Sequence, residues 1–326
     1  MNDDGPSQSA GKTDIGLRRS SNQDCYLVAR LRRGMCVDDT SLPMADRLHG
    51  RMQGEVLIVA DGMGGHAGGE RASALAIGYL IDRLLDSFHC ATDDEASRND
   101  FLSSLETMVQ DTHARILVES HNDPDVRGMG TTLTMAYIQW PRMYVAHAGD
   151  SRCYVVGKSV RQITEDHTMA RRLVQSGGLD PAEESTSRWS NVLWNVLGGR
   201  NEDNIVVQTE LVHLEPDDVV ILCSDGLHRY LDEPTILNFL GEPPRDGEFA
   251  HHVCDRLIEH AREQGGEDNI TAAVFLSPNR PIGYGDWITE FNQQLTESLL
   301  INPPSTLDPE EEGQEQLWEG DDLPEL

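Results

Sequence analysis

The sequence contains no uninterrupted apolar run of the roughly 20 residues that a membrane-spanning helix requires. The first residues, MNDDGPSQSAGKTD, include no basic segment followed by an apolar one, so no secretory signal is predicted. The six cysteines form no Cys-x-x-Cys pair, which argues against a zinc site and favours small buried residues in a reducing compartment. We therefore predict a cytoplasmic protein that acts away from membranes.

Basic residues are scarce. The chain has 26 Lys and Arg against 56 Asp and Glu, a formal net charge of −30. Such a surface repels nucleic acid phosphates and anionic lipid, so neither partner is predicted. It also repels phosphorylated substrates at long range, so any phosphate chemistry here would depend on strong local positive charge, which a bound metal would supply.

Composition divides the chain into three parts. Residues 1–10 are polar and predicted to be disordered, residues 11–277 alternate between apolar runs and loops, and residues 278–326 form an acidic extension. Between 301 and 326 there are nine acidic residues and no Lys or Arg. We predict a disordered acidic tail.

Within 11–277, runs rich in Val, Ile and Leu predict strands, and three- to four-residue apolar spacing predicts helices. The predicted strands are Tyr26–Leu31, Glu55–Ala60, Thr131–Gln139, Met143–Ala148, Cys153–Val156, Ile205–Leu211, Asp218–Cys223 and Ile270–Leu276. The predicted helices are Glu70–Phe88, Phe101–Ser120, Thr168–Ser176 and Glu248–Glu263. Because helices do not follow every strand, we expect an α+β fold. Residues 34–54 are predicted as a surface loop, and residues 178–191 as a mobile flap.

Four aspartates lie where a predicted strand begins or ends. Asp61 follows EVLIVA, Asp150 follows MYVAHAG, Asp225 follows VVILCS, and Asp268 precedes ITAAVFL. One such residue alone is ordinarily a turn or cap residue. Carboxylates that converge from four distant parts of the chain require positive charge, and a hard divalent cation with oxygen ligands is the simplest source.

The segment EVLIVADGMGGHAGGERA places a carboxylate before a glycine-rich turn and a helix. The glycines allow the Asp61 carboxylate and the Gly62 carbonyl to face the same ion. An alternative is a dinucleotide-binding loop, because Gly62, Gly64 and Ala67 satisfy its spacing. Against this, Asp61 would lie beside the pyrophosphate, and the acidic residues about twenty positions on fall within the helix.

Seven short blocks, in this order, resemble those of the metal-dependent protein phosphatases of type 2C, most closely the bacterial Ser/Thr branch. The blocks are GLRRSSNQD (16–24), VADGMGGHAGGE (59–70), GMGTT (128–132), AHAGDSR (146–152), EDHT (165–168), CSDGL (223–227) and EDNIT (267–271). The resemblance covers residues 11–277 and implies a four-layer αββα sandwich, in which helices flank two central antiparallel sheets. It also implies two Mn²⁺ or Mg²⁺ ions at one end of that sandwich.

Carried onto this sequence, the resemblance implies that Asp61 bridges the two metals and that the Gly62 carbonyl binds one of them. Asp225 and Asp268 complete the shell of the other metal. Asp24 contributes through bound water. In this reading a water or hydroxide shared by the metals attacks phosphorus, so no side chain becomes phosphorylated.

Three further residues follow from the same resemblance. Asp150 matches a position that helps to hold a third, weaker metal, and Asn269 lies just outside the metal ligands. Arg19 would grip the substrate phosphate through its bidentate guanidinium, with the adjacent Arg18 as its rival for that role. Asp24 and Asp150 could instead be ordinary turn residues.

The chain departs from many members of that family at two places. Gln23 stands where many carry Glu, so a carboxylate there is lost or replaced by an amide. Met63 stands where eukaryotic members carry a His proposed to protonate the leaving group. His66 lies nearby, but a lone His is more often structural. The general acid is therefore unassigned.

The leading hypothesis is a protein serine/threonine phosphatase that opposes a bacterial Ser/Thr kinase and acts on that kinase and its targets. Substrates would be discriminated at the 178–191 flap, which carries Arg188 and Trp189. The alternative is a catalytically silent sensor or scaffold on the same fold that binds phosphoproteins. A third possibility is a phosphatase devoted to one regulatory phosphoprotein. Oligomeric state is not predicted.

Overall fold

The structure, a computed structural model, describes residues 8–36, 47–86, 95–199, 204–241 and 247–278. The chain divides into two compact units. The first comprises Met1–Met35 with His49–Ile282, and the second comprises Cys36–Leu48 with Gly283–Leu326. Only residues 36, 47 and 48 of the second unit are described. The predicted acidic tail lies outside the described residues, so its disorder stays a prediction.

The strands are β1 (Gln8–Asp14), β2 (Asp24–Cys36), β3 (Arg47–Met63), β4 (Gly130–Thr131), β5 (Leu133–Gln139), β6 (Arg142–Ala148), β7 (Arg152–Val156), β8 (Val160–Gln162), β9 (Leu197–Gly198), β10 (Gln208–His213), β11 (Val219–Cys223) and β12 (Ile270–Leu276). The α-helices are α1 (His66–Asp86), α2 (Glu95–Asn122), α3 (Met169–Gln175), α4 (Asp225–His228), α5 (Glu233–Gly241) and α6 (Phe249–Glu263).

Two antiparallel sheets form the centre of the first unit. The five-stranded sheet has the order β1-β12-β11-β7-β8. The seven-stranded sheet has the order β10-β6-β5-β3-β4-β9, with β2 paired to β3. Because β6 belongs to one sheet and β7 to the other, the chain changes sheets at the turn that contains Gly149 and Asp150.

Side-chain alternation along the strands produces three apolar layers. In β3, Val56 and Ile58 pack with α1 and α2, whereas Leu57 and Val59 pack between the sheets. In β11, alternate residues pack either between the sheets or against α5 and α6. Since strand side chains alternate with period two, each sheet buries both faces. The result is the predicted αββα sandwich of the α+β class.

Several predicted boundaries were wrong for local reasons. Residues 8–10, assigned to a disordered end, belong to β1, which pairs with β12 through its backbone and buries only Ala10 among its side chains. The predicted strand Thr131–Gln139 is interrupted at Thr132, whose backbone N–H and hydroxyl both bond to Asp61. The strand predicted from Ile205 begins at Gln208, because Val206 bonds instead to Asn195.

Other predictions agree with the structure in full or differ only in their bounds. β12 has the predicted bounds, and β5 and β6 form the predicted hairpin around Trp140-Pro141. The 34–54 loop is shorter than predicted, since β2 extends to Cys36 and β3 begins at Arg47. The 178–191 segment is a loop with one 3₁₀ turn, Pro181–Glu183. In the described part of the chain, no helix has the length and apolar character needed to cross a membrane.

Candidate metal centre

Antiparallel pairing brings the predicted aspartates to one end of the sandwich. In the five-stranded sheet, Cys223 at the end of β11 lies opposite both Arg152 and Ala272, so the ends that carry Asp225, Asp150 and Asp268 coincide. In the other sheet, β3 ends beside the start of β5, which places Asp61 at the same end. Residues that are distant in sequence thus form one cluster. We call Asp24, Asp61, Asp150, Asp225 and Asp268 the carboxylate cluster.

The members of the carboxylate cluster repel one another. Burial is the main cause that raises the pKa of Asp61 well above its usual range, and the negative charges of Asp24 and Asp225 raise it further. Burial likewise raises the pKa values of Asp150 and Asp225. The cluster is therefore short of positive charge.

Asp24 is held in a hydroxyl cradle at the end of β11 and β12. Its Oδ2 accepts hydrogen bonds from Ser224 Oγ at 2.7 Å and Thr271 Oγ1 at 2.6 Å. Its Oδ1 is buried without a hydrogen-bond partner. Burial raises the pKa of Asp24 to about 7, although the two hydroxyls oppose that shift. Both hydroxyls lie within quoted sequence blocks, CSDGL and EDNIT, yet sequence reasoning assigned them no role.

The backbone at Asp61 is fixed by the GMGTT block. Asp61 N–H donates to Thr132 Oγ1 at 2.9 Å, and Thr132 N–H donates to the Asp61 carbonyl at 2.9 Å. Gly62 N–H donates to the Gln23 carbonyl at 3.2 Å. A Cβ at Gly62 would collide with the Gly69 carbonyl, so only glycine fits there. The close approach of the Gly69 backbone explains the glycine at position 62, near the end of β3.

Asn269 ties the loop that carries Arg19 to the cluster. Its side-chain N–H groups donate to the carbonyls of Ile15 at 2.9 Å and Ser21 at 3.0 Å, and its Oδ1 accepts from Gln23 N–H at 2.9 Å. Its backbone N–H donates to Asp268 Oδ1 at 2.8 Å. Asn269 therefore positions both Asp268 and the loop from Ile15 to Gln23.

Of the two rival arginines, Arg19 reaches the cluster. Its Nη2 lies 2.6 Å from Asp268 Oδ2, although its side chain is 50% exposed. Arg18 is also exposed on the same loop.

The side-chain amide of Gln23 donates a hydrogen bond to the Gly65 carbonyl at 2.6 Å. The amide at this departure from the family pattern thus supports the glycine turn.

Arg229 is a second arginine of the site that sequence reasoning missed. It forms an ion pair with Asp225, four residues earlier, across the short helix α4. The available signal was its spacing, since side chains four apart on a helix are neighbours.

Helix α4 also contributes His228, whose Nε2 bonds to the Asp150 carbonyl at 3.0 Å. Burial lowers the pKa of His228 to about 3, so it is neutral at physiological pH and no source of a catalytic proton. The side chain of His66 lies outside the described residues.

The donor set fits a hard cation, although the arginines neutralise part of it. Within the described ranges, no three His, Cys, Asp or Glu side chains form a ready metal-binding group. The physical reason is that Asp225 and Asp268 are turned towards Arg229 and Arg19. Asp24 Oδ1 and Asp225 Oδ1 are nevertheless buried without partners. Buried carboxylate oxygens with unused lone pairs are the ligands that Mg²⁺ and Mn²⁺ prefer.

Comparison with known proteins finds a family model and relatives that match most of the chain. The family model for protein phosphatase 2C matches residues 29–273. The serine/threonine phosphatase stp of Listeria monocytogenes is 34% identical over 220 residues, which cover 67% of this chain and 83% of that protein. The serine/threonine protein phosphatase PstP of Mycobacterium tuberculosis is 33% identical over 267 residues, but the match covers 81% of this chain and only 44% of PstP.

Solved structures resemble the chain over the same region. The crystal structure of the Mycobacterium tuberculosis phosphatase PstP/Ppp has a TM-score of 0.65 and 30% identity, covering 83% of this chain and 98% of that one. The PstP catalytic domain in complex with two manganese ions has a TM-score of 0.62, 30% identity and the same coverage. The fold, the family model and these relatives agree. The chain therefore belongs to the protein phosphatase 2C family.

Proposed function

We propose that the carboxylate cluster is the binuclear metal centre of a protein serine/threonine phosphatase. The observation that carries the proposal is that several buried carboxyl groups with raised pKa values lie together. Two of their oxygens, Asp24 Oδ1 and Asp225 Oδ1, are buried without a hydrogen-bond partner. Such an arrangement is costly unless a cation neutralises it. Family membership and the manganese-bound PstP structure support the same ion type.

Each ligand assignment is part of the proposal. Asp61 would bridge two Mn²⁺ or Mg²⁺ ions, and the Gly62 carbonyl would bind one of them. Asp225 and Asp268 would hold the other ion, and Asp24 would contribute through water.

Three residues complete the assignment. Asp150, whose carbonyl is fixed by His228, would help to hold a third and weaker ion. Asn269 would keep Asp268 in place through its backbone N–H. Arg19 would leave Asp268 and take the substrate phosphate.

When bound, the metal ions would lower the pKa of a shared water and neutralise phosphoryl oxygens. The remaining tasks fall to the chain. The half-exposed Arg19 offers two parallel N–H donors to equatorial phosphate oxygens, which suits its guanidinium better than an ammonium group. Asn269 fixes the loop on which Arg19 lies, so the phosphate would be positioned relative to Asp268. No described side chain is assigned as general acid.

Phosphorylated proteins are the proposed substrates, with a Ser/Thr kinase and its targets as partners. The flap at 178–191 would meet those proteins, since Trp189 is 37% exposed and Arg188 stacks on its ring at 4.8 Å. A cytoplasmic location is consistent with the described cysteines Cys25, Cys153, Cys223 and Cys254, all of which are free. No observation favours the silent scaffold.

The test is hydrolysis of p-nitrophenyl phosphate and of a phosphoserine peptide by chelator-stripped protein, with and without Mn²⁺. We expect turnover that depends on Mn²⁺ and that is absent in Asp225→Asn. The matched control is Asp218→Asn, at the opposite end of β11, which should retain activity. Absence of turnover with any divalent ion, in protein shown to be folded, would contradict the proposal and favour a binding module.

A further inference from the structure

Arg229 is a positive charge built into the carboxylate cluster. Its guanidinium pairs with Asp225, and the charges of Asp268 and Asp150 also act on it. Its side chain is 31% exposed, compared with 50% for Arg19. Arg229 thus lies deeper in the site than the arginine proposed to bind phosphate.

The backbone around Arg229 keeps it in the cluster. Its N–H donates to the Asp225 carbonyl at 3.3 Å, and the preceding residue, His228, is buried and bonded to the Asp150 carbonyl. Arg19, in contrast, lies on a loop and can exchange Asp268 for solvent or phosphate. A metal ion bound by the carboxylate cluster would therefore lie close to the Arg229 guanidinium.

We propose that Arg229 competes with divalent metal for Asp225 and so sets how tightly the centre holds its metal. The inference rests on the proposed function, because it concerns the same carboxylates. Asp225 offers Oδ2 to Arg229 while its Oδ1 is buried without a partner. A cation that binds Asp225 must share it with the guanidinium, and the two positive charges repel each other across a partly buried site. Loss of the guanidinium charge should thus favour the metal.

The test is calorimetric titration of Mn²⁺ into chelator-stripped wild type and Arg229→Gln. The glutamine retains a polar side chain without charge, so we expect about tenfold tighter Mn²⁺ binding. In the absence of metal the variant should melt at a lower temperature, because the carboxylates lose a counter-charge. The matched control is Arg83→Gln, which removes an arginine paired with Asp111 between α1 and α2. It should leave Mn²⁺ affinity unchanged.

A second variant, Arg229→Lys, decides the matter if the glutamine variant does not fold without metal. A single ammonium holds a carboxylate less firmly than the guanidinium fork, so we expect Mn²⁺ binding about threefold tighter than in wild type. Unchanged affinity in the folded variants would overturn the proposal. Weaker binding would also overturn it and would show that Arg229 orients Asp225 for the metal. If wild type itself binds no Mn²⁺, the proposed function fails instead.

Discussion

Two buried polar regions meet at the Gly149–Asp150 turn, and they are built on opposite principles. One is the carboxylate cluster, where negative charges face one another with few protein partners. The other, which we call the ion-paired network, comprises His147, Arg152, Asp166, His167 and Asn195, and contacts the segment that follows the flap through Trp194 N–H, which donates to the His167 carbonyl. In the network almost every charge and hydrogen-bonding atom is matched inside the protein. We interpret the network as polar interior that stabilises the fold, and the carboxylate cluster as the proposed metal site.

The ion-paired network is internally satisfied. Arg152 Nε and Nη2 lie 2.9 Å and 2.7 Å from the two oxygens of Asp166. Burial by itself would raise the pKa of Asp166, but the bonds and charge of Arg152 outweigh it and hold that pKa below its usual value. His167 Nδ1 accepts from Gly149 N–H at 3.1 Å and lies 2.7 Å from Asn195 Nδ2. The contact to Gly149 N–H holds the backbone of the turn that precedes Asp150.

The largest expected effect comes from Asp61→Asn, which changes a buried member of the carboxylate cluster whose pKa is raised well above its usual range. Loss of the carboxylate proposed to bridge the metals should reduce Mn²⁺-dependent turnover about a thousandfold or more, because metal ions supply several kcal/mol of transition-state stabilisation. The chelator-stripped variant should melt at a higher temperature than wild type, since a neutral amide avoids the cost of burying this carboxyl group beside Asp24 and Asp225. Turnover assays and thermal melts of the same preparations measure both effects.

The opposite signs of these two effects are the diagnostic result for Asp61→Asn. Asp218→Asn again serves as control, because Asp218 belongs to neither region and bonds to the Glu215 N–H. A variant that lost both activity and stability would place Asp61 among structural residues.

Arg152→Met is the converse change in the ion-paired network. It leaves Asp166 buried without its counter-charge, which typically costs about 3–5 kcal/mol of unfolding free energy. The expected result is a large loss of stability in chemical denaturation, with Mn²⁺ affinity of the folded fraction largely retained. The matched control is Arg262→Met, which breaks an ion pair with Asp14 whose arginine side chain is 47% exposed. That surface pair should contribute about 1 kcal/mol or less. Equal losses in the two variants would contradict the contrast.

The two regions also predict opposite responses to pH. The pKa of Asp24 is raised to about 7, so the folded protein keeps a proton that the unfolded chain releases above about pH 4, and this stability is lost as pH rises towards 7. The pKa of His147 is lowered by burial to about 3, so the unfolded chain gains a proton below about pH 6.5, and this stability is lost as pH falls. In metal-free protein the two slopes oppose each other.

Saturating Mn²⁺ should remove the contribution of the carboxylate cluster and expose that of the histidine. We therefore expect the melting temperature to rise more steeply with pH when Mn²⁺ is present, so that the gap between metal-bound and metal-free melts widens from pH 5 to pH 7. Differential scanning calorimetry across this range measures the gap. Parallel curves with and without Mn²⁺ would mean that the cluster carboxylates do not titrate as described.

The sequence was most informative where an apolar run fixed both a strand and the residue beyond it. Asp61, Asp225 and Asp268 follow or precede such runs, and antiparallel pairing then brought them together. The sequence was least informative where backbone pairing alone makes the element, as in β1, or where a side chain acts across the fold. Thr271 reaches Asp24 over 247 residues, a contact that no local pattern encodes.

The smallest expected effect tests that contact through Thr271→Val, which removes one hydroxyl from the Asp24 cradle without changing side-chain shape. Hydrogen bonds to a carboxylate favour its charged form, so their loss should raise the pKa of Asp24 further and weaken Mn²⁺ binding by a few fold, corresponding to about 1 kcal/mol. Thr13→Val is the matched control, since the Thr13 hydroxyl contacts Thr271 Oγ1 at 2.8 Å but does not reach Asp24. Weaker binding in Thr271→Val alone would show that the cluster depends on its few hydroxyl partners. If both variants bound Mn²⁺ as tightly as wild type, the Ser224 hydroxyl alone would suffice to hold Asp24.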